Sequence, residues 1–257
     1  MEKRLTRRRP EKKKARGIAI TALLASVALF STAGGAGARA AWELADFGYG
    51  DLKTQQVDDL KNIMPEVNTV DLGSPLTQNR DDPPSVPTPK QGEQMGMLYI
   101  PAWKGLADLG EYITIEEGGV NNRITDAMLS RGQAVHYSAT ALPGDLGNTS
   151  YAAHRRSHGS SFRYMDRLKN GDTIHVITPT AIYTYEIKQK IIVPENQVRV
   201  IDATPPGQKP GRWLTLTTCS TADGGQYGNT HRYIVHAEFQ YWSPAEEAGK
   251  LVPSLQK

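Results

Sequence analysis

The chain has a single thiol, Cys219, together with six histidines. A lone cysteine excludes an intramolecular disulfide framework and leaves too few thiolates for a cysteine-based zinc site. It is left with nucleophilic work, or with the bland role of a small buried hydrophobe. Cys219 ends the run Arg212-Trp213-Leu214-Thr215-Leu216-Thr217-Thr218, and glycine-rich Ala222 to Asn229 follows, which places it at a strand end opening into a loop. Scaffolds display reactive groups at such places. Near neutral pH an unperturbed thiol is mostly protonated, so it needs a base or a positive neighbour to act as a nucleophile.

His154 is the candidate base, because it follows the strand-like Thr149 to Ala153 and precedes the polar Arg155-Arg156-Ser157-His158-Gly159. Its bland alternative is a satisfied structural histidine. His154 and His158 have the i, i+4 spacing of a helical metal pair, but Gly159 and three serines within Ser157 to Ser161 argue against a helix there. Arg232 opens the last strand-like run, Arg232 to Glu238, and offers a rigid, permanently charged fork of donors to an anionic intermediate. Alternatively, it is a surface cation at a strand start.

The elements that must position these residues read as mostly β. Met97 to Ile100, Glu111 to Ile115, Thr149 to Ala153, Thr173 to Thr178, Ala181 to Val193, Trp213 to Cys219 and Arg232 to Tyr241 are short, rich in β-branched or aromatic residues, and separated by Gly, Pro and Asn. Ala181 to Val193 alternates with the period of a strand that buries one face. Short helical patterns at Thr125 to Ser130 and Phe162 to Leu168 interrupt the series. This pattern predicts a β barrel or sandwich with short helices in its connections.

The 257 residues are 39% hydrophobic and 22% charged, which suits one globular domain with appendages. The net charge of +3 is misleading, because Met1 to Gly17 holds nine Lys/Arg against two Glu and the remainder is therefore negative. No basic stripe is left for a nucleic acid. Gly17 to Ala38 carries no charge and has about the length of a membrane-spanning helix. Ala38-Arg39-Ala40 leaves a cleaved signal peptide open, but the preferred reading is an uncleaved signal anchor. The basic flank would hold the amino terminus in the cytoplasm and place the rest outside the cell. The expected organisation is a basic tail at 1–16, the anchor at 17–38 and a linker at 39–94. A globular domain at 95–242 and an unanchored tail at 243–257 complete it. Pro83, Pro84, Pro87 and Pro89 mark the end of the linker as an extended spacer that should not pack.

Taken together, the chain resembles the sortases, cysteine transpeptidases of Gram-positive cell surfaces. The resemblance is carried by Gly147-Asn148 through Ala153-His154-Arg155, by Thr215-Leu216-Thr217-Thr218-Cys219, and by Arg232 at the start of the terminal strand. Gly132 to Tyr137, Thr140 to Gly144 and Ile234 to Glu238 resemble class E, the housekeeping type of many actinobacteria. The resemblance implies an eight-stranded sortase β-barrel. It also implies that Cys219 forms a thioacyl enzyme at the Thr–Gly bond of a C-terminal sorting signal, with His154 as acid and base and Arg232 steadying the oxyanion. Tyr137 would line the groove and be associated with LAXTG rather than LPXTG signals, and Thr218 would contribute a groove contact or a backbone donor. The implied partners are secreted proteins bearing such a signal and an amine of a peptidoglycan precursor or another surface protein. No metal or other cofactor is required. Without those residues, the competing readings are a membrane-tethered β domain that only binds, with Cys219 buried, and a metal-dependent hydrolase using His154 and His158.

Overall fold

The computed structural model describes residues 58–67, 74–106, 112–118, 124–220 and 230–255. The proposed anchor and the glycine-rich stretch after Cys219 lie outside the described residues. Eight strands, β1 (Gln94–Tyr99), β2 (Ile113–Glu117), β3 (Ala134–His136), β4 (Gly147–Ala152), β5 (Thr173–Ile177), β6 (Ala181–Pro194), β7 (Arg212–Cys219) and β8 (His231–Pro244), close into a barrel in the order β1-β2-β3-β4-β7-β8-β6-β5. β2 pairs β3 in parallel, as β4 pairs β7, while the other neighbours are antiparallel. A four-residue helix, α1 (Asp126–Leu129), lies between β2 and β3, and the Thr125 side chain caps it by accepting from the Met128 N–H.

Alternation along each strand separates the interior from the exterior. Leu98, Ile115, Ala134, Tyr151, Val176, Leu214, Leu216, Val235 and Ala237 share one buried cluster inside the barrel. Residues between them therefore face outward, and on β7 these are Thr215, Thr217 and Cys219. Gly96 in β1 has φ +142°, and a Cβ there would lie 2.0 Å from the Ile177 carbonyl oxygen, so β1 and β5 approach this closely only with glycine.

The proline-rich stretch does pack, contrary to expectation. Asn79 bridges Trp242, the Trp242 Nε1–H donates to Asp81 at 3.0 Å, Arg212 pairs with Asp82 at 2.7 Å, and the Tyr183 hydroxyl donates to the Pro84 carbonyl at 2.6 Å. An extended proline-rich backbone has no internal hydrogen bonds, so its carbonyls remain available to donors on the barrel. The carboxyl-terminal segment is likewise anchored. Val252 and Leu255 are buried, and Lys250 donates to the Pro75 carbonyl at 3.1 Å. Residues 58–67 and the carboxyl-terminal segment meet in a second cluster on the outside of the barrel, where Leu60, Met64 and Val67 pack with Met97, Tyr99, Ile177, Ile182, Ala248, Val252 and Leu255. This cluster sits on β1, β5 and β6, across the barrel from β4 and β7, so residues 58–67 do not cover the outward face of β7.

Candidate active site

β7 lies between β4 and β8, and its outward-facing residues form the floor of the site. Cys219, partly buried at the end of β7, pairs across the antiparallel ladder with Arg232 at the start of β8. On the other side, β4 runs parallel to β7 with Ala152 opposite Thr217, and the Ala153 N–H donates to the Thr217 carbonyl at 3.3 Å. The same register carried two residues further sets His154 beside Cys219. The row His154–Cys219–Arg232 is thus a consequence of strand pairing, in which residues opposite one another share a face.

A carboxylate and a backbone carbonyl hold the Arg232 end. Its guanidinium pairs with Glu195 at 3.0 Å and donates to the His231 carbonyl at 3.2 Å. Tyr137 comes over the floor from the turn after β3, and its hydroxyl lies 3.1 Å from the Thr217 hydroxyl. Thr217 donates onward to the Tyr151 carbonyl at 3.3 Å, so Tyr137 is the donor in that pair. Burial pushes the Tyr137 phenol above its ordinary value; Thr217 and the Arg232 charge pull it back, and Cys219 adds to the rise.

His154 is mostly buried, and its ring lies 5.2 Å from that of His158. Burial holds its imidazole below the ordinary value, His158 acts in the same direction, and Asp126, 3.8 Å from Nε2, opposes them. A neutral imidazole at neutral pH is the form that accepts a proton. His158 and Ser160 both have positive φ, 45° and 49°, around Gly159 at 80°. Non-glycine residues adopt this conformation at a cost of about 1 kcal/mol or more, so the surrounding structure has to hold the turn. It is held by the Phe162 N–H on the His154 carbonyl at 3.0 Å and by full burial of Phe162.

Thr218 was expected to supply a groove contact or a backbone donor, and its side chain does not take the first role. It lies on the opposite face of β7 from Cys219, is 3% exposed, and donates to the Ala153 carbonyl at 2.7 Å. It thereby tethers the end of β7 to the residue before His154. Arg155, next in sequence, is 1% exposed, pairs with Asp166 at 2.9 Å and stacks over Tyr233 at 5.2 Å.

Sequence reasoning missed a buried network behind Tyr137. Glu117 accepts from His136 Nδ1 at 2.8 Å, and His136 Nε2 lies 3.1 Å from both the Thr140 hydroxyl and the Ala141 carbonyl. Thr140 gives its own proton to the Tyr137 carbonyl at 2.7 Å and accepts from the Ser150 N–H at 3.2 Å. The turn that carries Tyr137 is thus fixed at both ends. His136 stood in the sequence only as part of a longer match, and a glutamate in a strand reads as a solvent-facing residue.

A family model described as the sortase domain matches residues 100–240. The sortase SrtE1 of Streptomyces coelicolor is 33% identical over 153 residues, which are 56% of this chain and 40% of that protein. Among solved structures, the SrtA sortase from Actinomyces oris is 37% identical with a TM-score of 0.59, covering 66% of this chain and 93% of that one. A crystal structure of sortase E1 from Streptomyces coelicolor with a tripeptide in the active site is 30% identical with a TM-score of 0.51, covering 64% and 96%. Against the full length of SrtE1, the match spans less than half.

Proposed function

The chain belongs to the sortase family, and we propose that it is a membrane-tethered cysteine transpeptidase that joins exported proteins to a cell-wall amine. The observation that carries this reading is the row His154–Cys219–Arg232 on the outward face of β4, β7 and β8, overhung by Tyr137. Cys219 attacks the carbonyl between Thr and Gly of a C-terminal sorting signal and splits one difficult acyl transfer into two easier ones. His154 gives a proton to the departing glycine amine and later takes one from the incoming amine. Arg232, oriented by Glu195, donates to the oxyanion of both tetrahedral intermediates, an interaction that strengthens as charge develops. Tyr137 narrows the groove beside Cys219 and favours the small alanine of LAXTG over the proline ring of LPXTG. The uncharged run 17–38 behind its basic flank supports an anchor that leaves residues 39–257 outside the cell. Tethering would raise the effective concentration of enzyme and substrates in the same membrane.

The test is mass spectrometry of the full chain incubated with LAXTG or LPXTG peptides and then with triglycine. Cleavage between Thr and Gly, with an adduct on Cys219 that transfers to the amine, is the expected result. Intact peptides and an unmodified Cys219 would reject the proposal.

A further inference from the structure

The mechanism above uses neither Glu117 nor His136, although both are buried titratable groups, 5% and 1% exposed. They are partners in the parallel pairing of β2 with β3, and the Glu117 carboxylate meets His136 Nδ1 at 2.8 Å. On the other side of the ring, Nε2 lies 3.1 Å from the Ala141 carbonyl, which has no proton to give, so Nε2 carries an N–H and donates it. Nδ1 carries the second N–H, because a carboxylate only accepts. The couple is therefore an imidazolium beside a carboxylate, with its remaining donor aimed at the turn after β3. A buried pair of charges loses in desolvation much of what attraction returns, and apolar residues of the same volume would stabilise the barrel as well. What the pair supplies in their place is direction.

That direction matters because the turn is not fixed by packing on every side. A cavity of about 420 Å³, lined by Thr88, Pro89, Glu117, Ser138, Thr140 and Leu142, opens against it. Toward β4 the turn is tied by the Tyr137 N–H on the Ser150 carbonyl and the Ala141 N–H on the Asn148 carbonyl, at 2.9 and 3.2 Å. Toward β2 it is tied through His136, whose Nε2 also lies 3.1 Å from the Thr140 hydroxyl, while Thr140 gives its own proton to the Tyr137 carbonyl at 2.7 Å. The Tyr137 hydroxyl in turn reaches Thr217 at 3.1 Å, two residues before Cys219 on the same face of β7.

We propose that Glu117 and His136 are positioning residues for sorting-signal recognition, whose ion pair holds the 137–141 turn, and through it the Tyr137 ring, against the floor beside Cys219. The inference rests on the transpeptidase reading and adds the device that keeps the groove narrow before the peptide arrives. A groove that is already formed costs the peptide less ordering when it binds. Released from His136, the turn has the cavity to move into, and the groove widens. With both ring nitrogens engaged in the wall, His136 moves no proton in the reaction, so the pair acts on binding and selection of the signal.

The experiment measures kcat and KM of the full-length chain for LAXTG and LPXTG peptides with triglycine as acceptor. Glu117→Gln keeps the shape of the side chain but removes its charge, so the ring retains one N–H and cannot serve both acceptors. KM for LAXTG should rise roughly three- to tenfold with kcat within about twofold, and the preference for LAXTG over LPXTG should fall by a similar factor, part of what the shape of a pocket can discriminate. Thr140→Val interrupts the same chain without unpairing a buried charge and should reproduce both changes, which keeps the test decisive if Glu117→Gln does not fold. In a Tyr137→Ala background, Glu117→Gln or Thr140→Val should add nothing further to either quantity, because the pair acts through Tyr137. An unchanged KM and preference in folded Glu117→Gln or in Thr140→Val overturns the inference. Equal losses with and without Tyr137 also overturn it, since the pair would then be a support of the fold alone. An unsubstituted chain that forms no adduct on Cys219 with either peptide overturns the transpeptidase reading and the inference with it.

Discussion

Replacing Arg232 by lysine separates a fork of donors from a point charge. In the structure the guanidinium reaches Glu195 at 3.0 Å and the His231 carbonyl at 3.2 Å while lying opposite Cys219. A lysine ammonium at this position will settle on the Glu195 carboxylate, because that partner carries a full charge, and be drawn away from the carbonyl oxygen of the substrate. Loss of one preorganised oxyanion donor costs about 10²- to 10³-fold in rate, or roughly 3–4 kcal/mol. Glu195 acts differently. Its side chain is 56% exposed and that of Arg232 is 32% exposed, so the pair contributes about 1 kcal/mol at most, or about fivefold. The assay is the steady-state rate of LAXTG peptide cleavage with triglycine for Arg232→Lys, Glu195→Gln and the double variant. The double variant should exceed Arg232→Lys alone, since the ammonium is no longer held on Glu195, and this non-additivity reports the contact. A near-normal rate for Arg232→Lys would make Arg232 a surface cation. A loss in Glu195→Gln as large as that in Arg232→Lys would make Glu195 part of the chemistry rather than a support.

Cys219→Ala should abolish the thioacyl adduct seen by mass spectrometry yet leave Tm within about 2 °C, because a half-exposed methyl-for-thiol exchange removes little packing; residual turnover would refute thiol catalysis. Leu60→Ala empties a fully buried position in the outer cluster and should cost roughly 2–5 kcal/mol in denaturant unfolding without changing the cleavage rate of the folded chain, and a parallel fall in rate would place residues 58–67 near the groove. Burial lowers His175 and His236 to about 4 from their ordinary value. Because these folded-state values are depressed, the unfolded chain binds more protons between about pH 6.5 and 4. Stability must then fall as pH drops through that window, by about 3 kcal/mol for each histidine. Urea unfolding at pH 7 and pH 4.5 should show the drop, and His175→Gln with His236→Gln should flatten it; an unaltered slope in that double variant would reject the histidine origin.

Seven of the eight strands were legible because alternation and turn residues repeat over enough positions to be seen. β3 was not, since Ala134–His136 has only three residues and owes its state to pairing with β2 on one side and β4 on the other. The row His154–Cys219–Arg232 was legible as strand ends, because each residue closes or opens a strand-like run. Asp126 and Glu195 were not, as they stand 28 and 37 positions from the side chains they meet, His154 and Arg232, and nothing local marks them. The packing of the proline-rich stretch was also invisible. Asp82 and Arg212 are 130 positions apart, and composition reports the stiffness of a segment but not whether donors await its carbonyls.

The outside of the barrel divides into two kinds of surface, and the division explains where the chemistry sits. Over part of β1, β5 and β6 the outward Met97, Tyr99, Ile177 and Ile182 are apolar, and residues 58–67 and the carboxyl-terminal segment cover them, which stabilises the fold through buried area. Over β4, β7 and β8 the outward positions include Asn148, Ser150, Thr215, Thr217 and His236, with Ala152 and Ile234 on either side of Thr217. There the Thr215 hydroxyl donates to Asn148 at 2.8 Å and meets His236 Nδ1 at 2.9 Å, while the Asn148 amide donates to the Val200 and Asp202 carbonyls at 3.3 and 3.0 Å. An apolar floor would stabilise the barrel equally well, but it would leave the segment between β6 and β7 free to slide. Directional hydrogen bonds instead fix that segment in one register against the start of β4, and a network of this kind is rigid because each bond constrains the next. The geometry of the site therefore rests on the polar floor, and the stability of the domain rests on the interior and the clasped outer face. Thr215→Val should accordingly slow cleavage more than it lowers Tm, whereas Leu60→Ala should do the reverse; the two effects moving together in both variants would show that site and scaffold are a single cooperative unit.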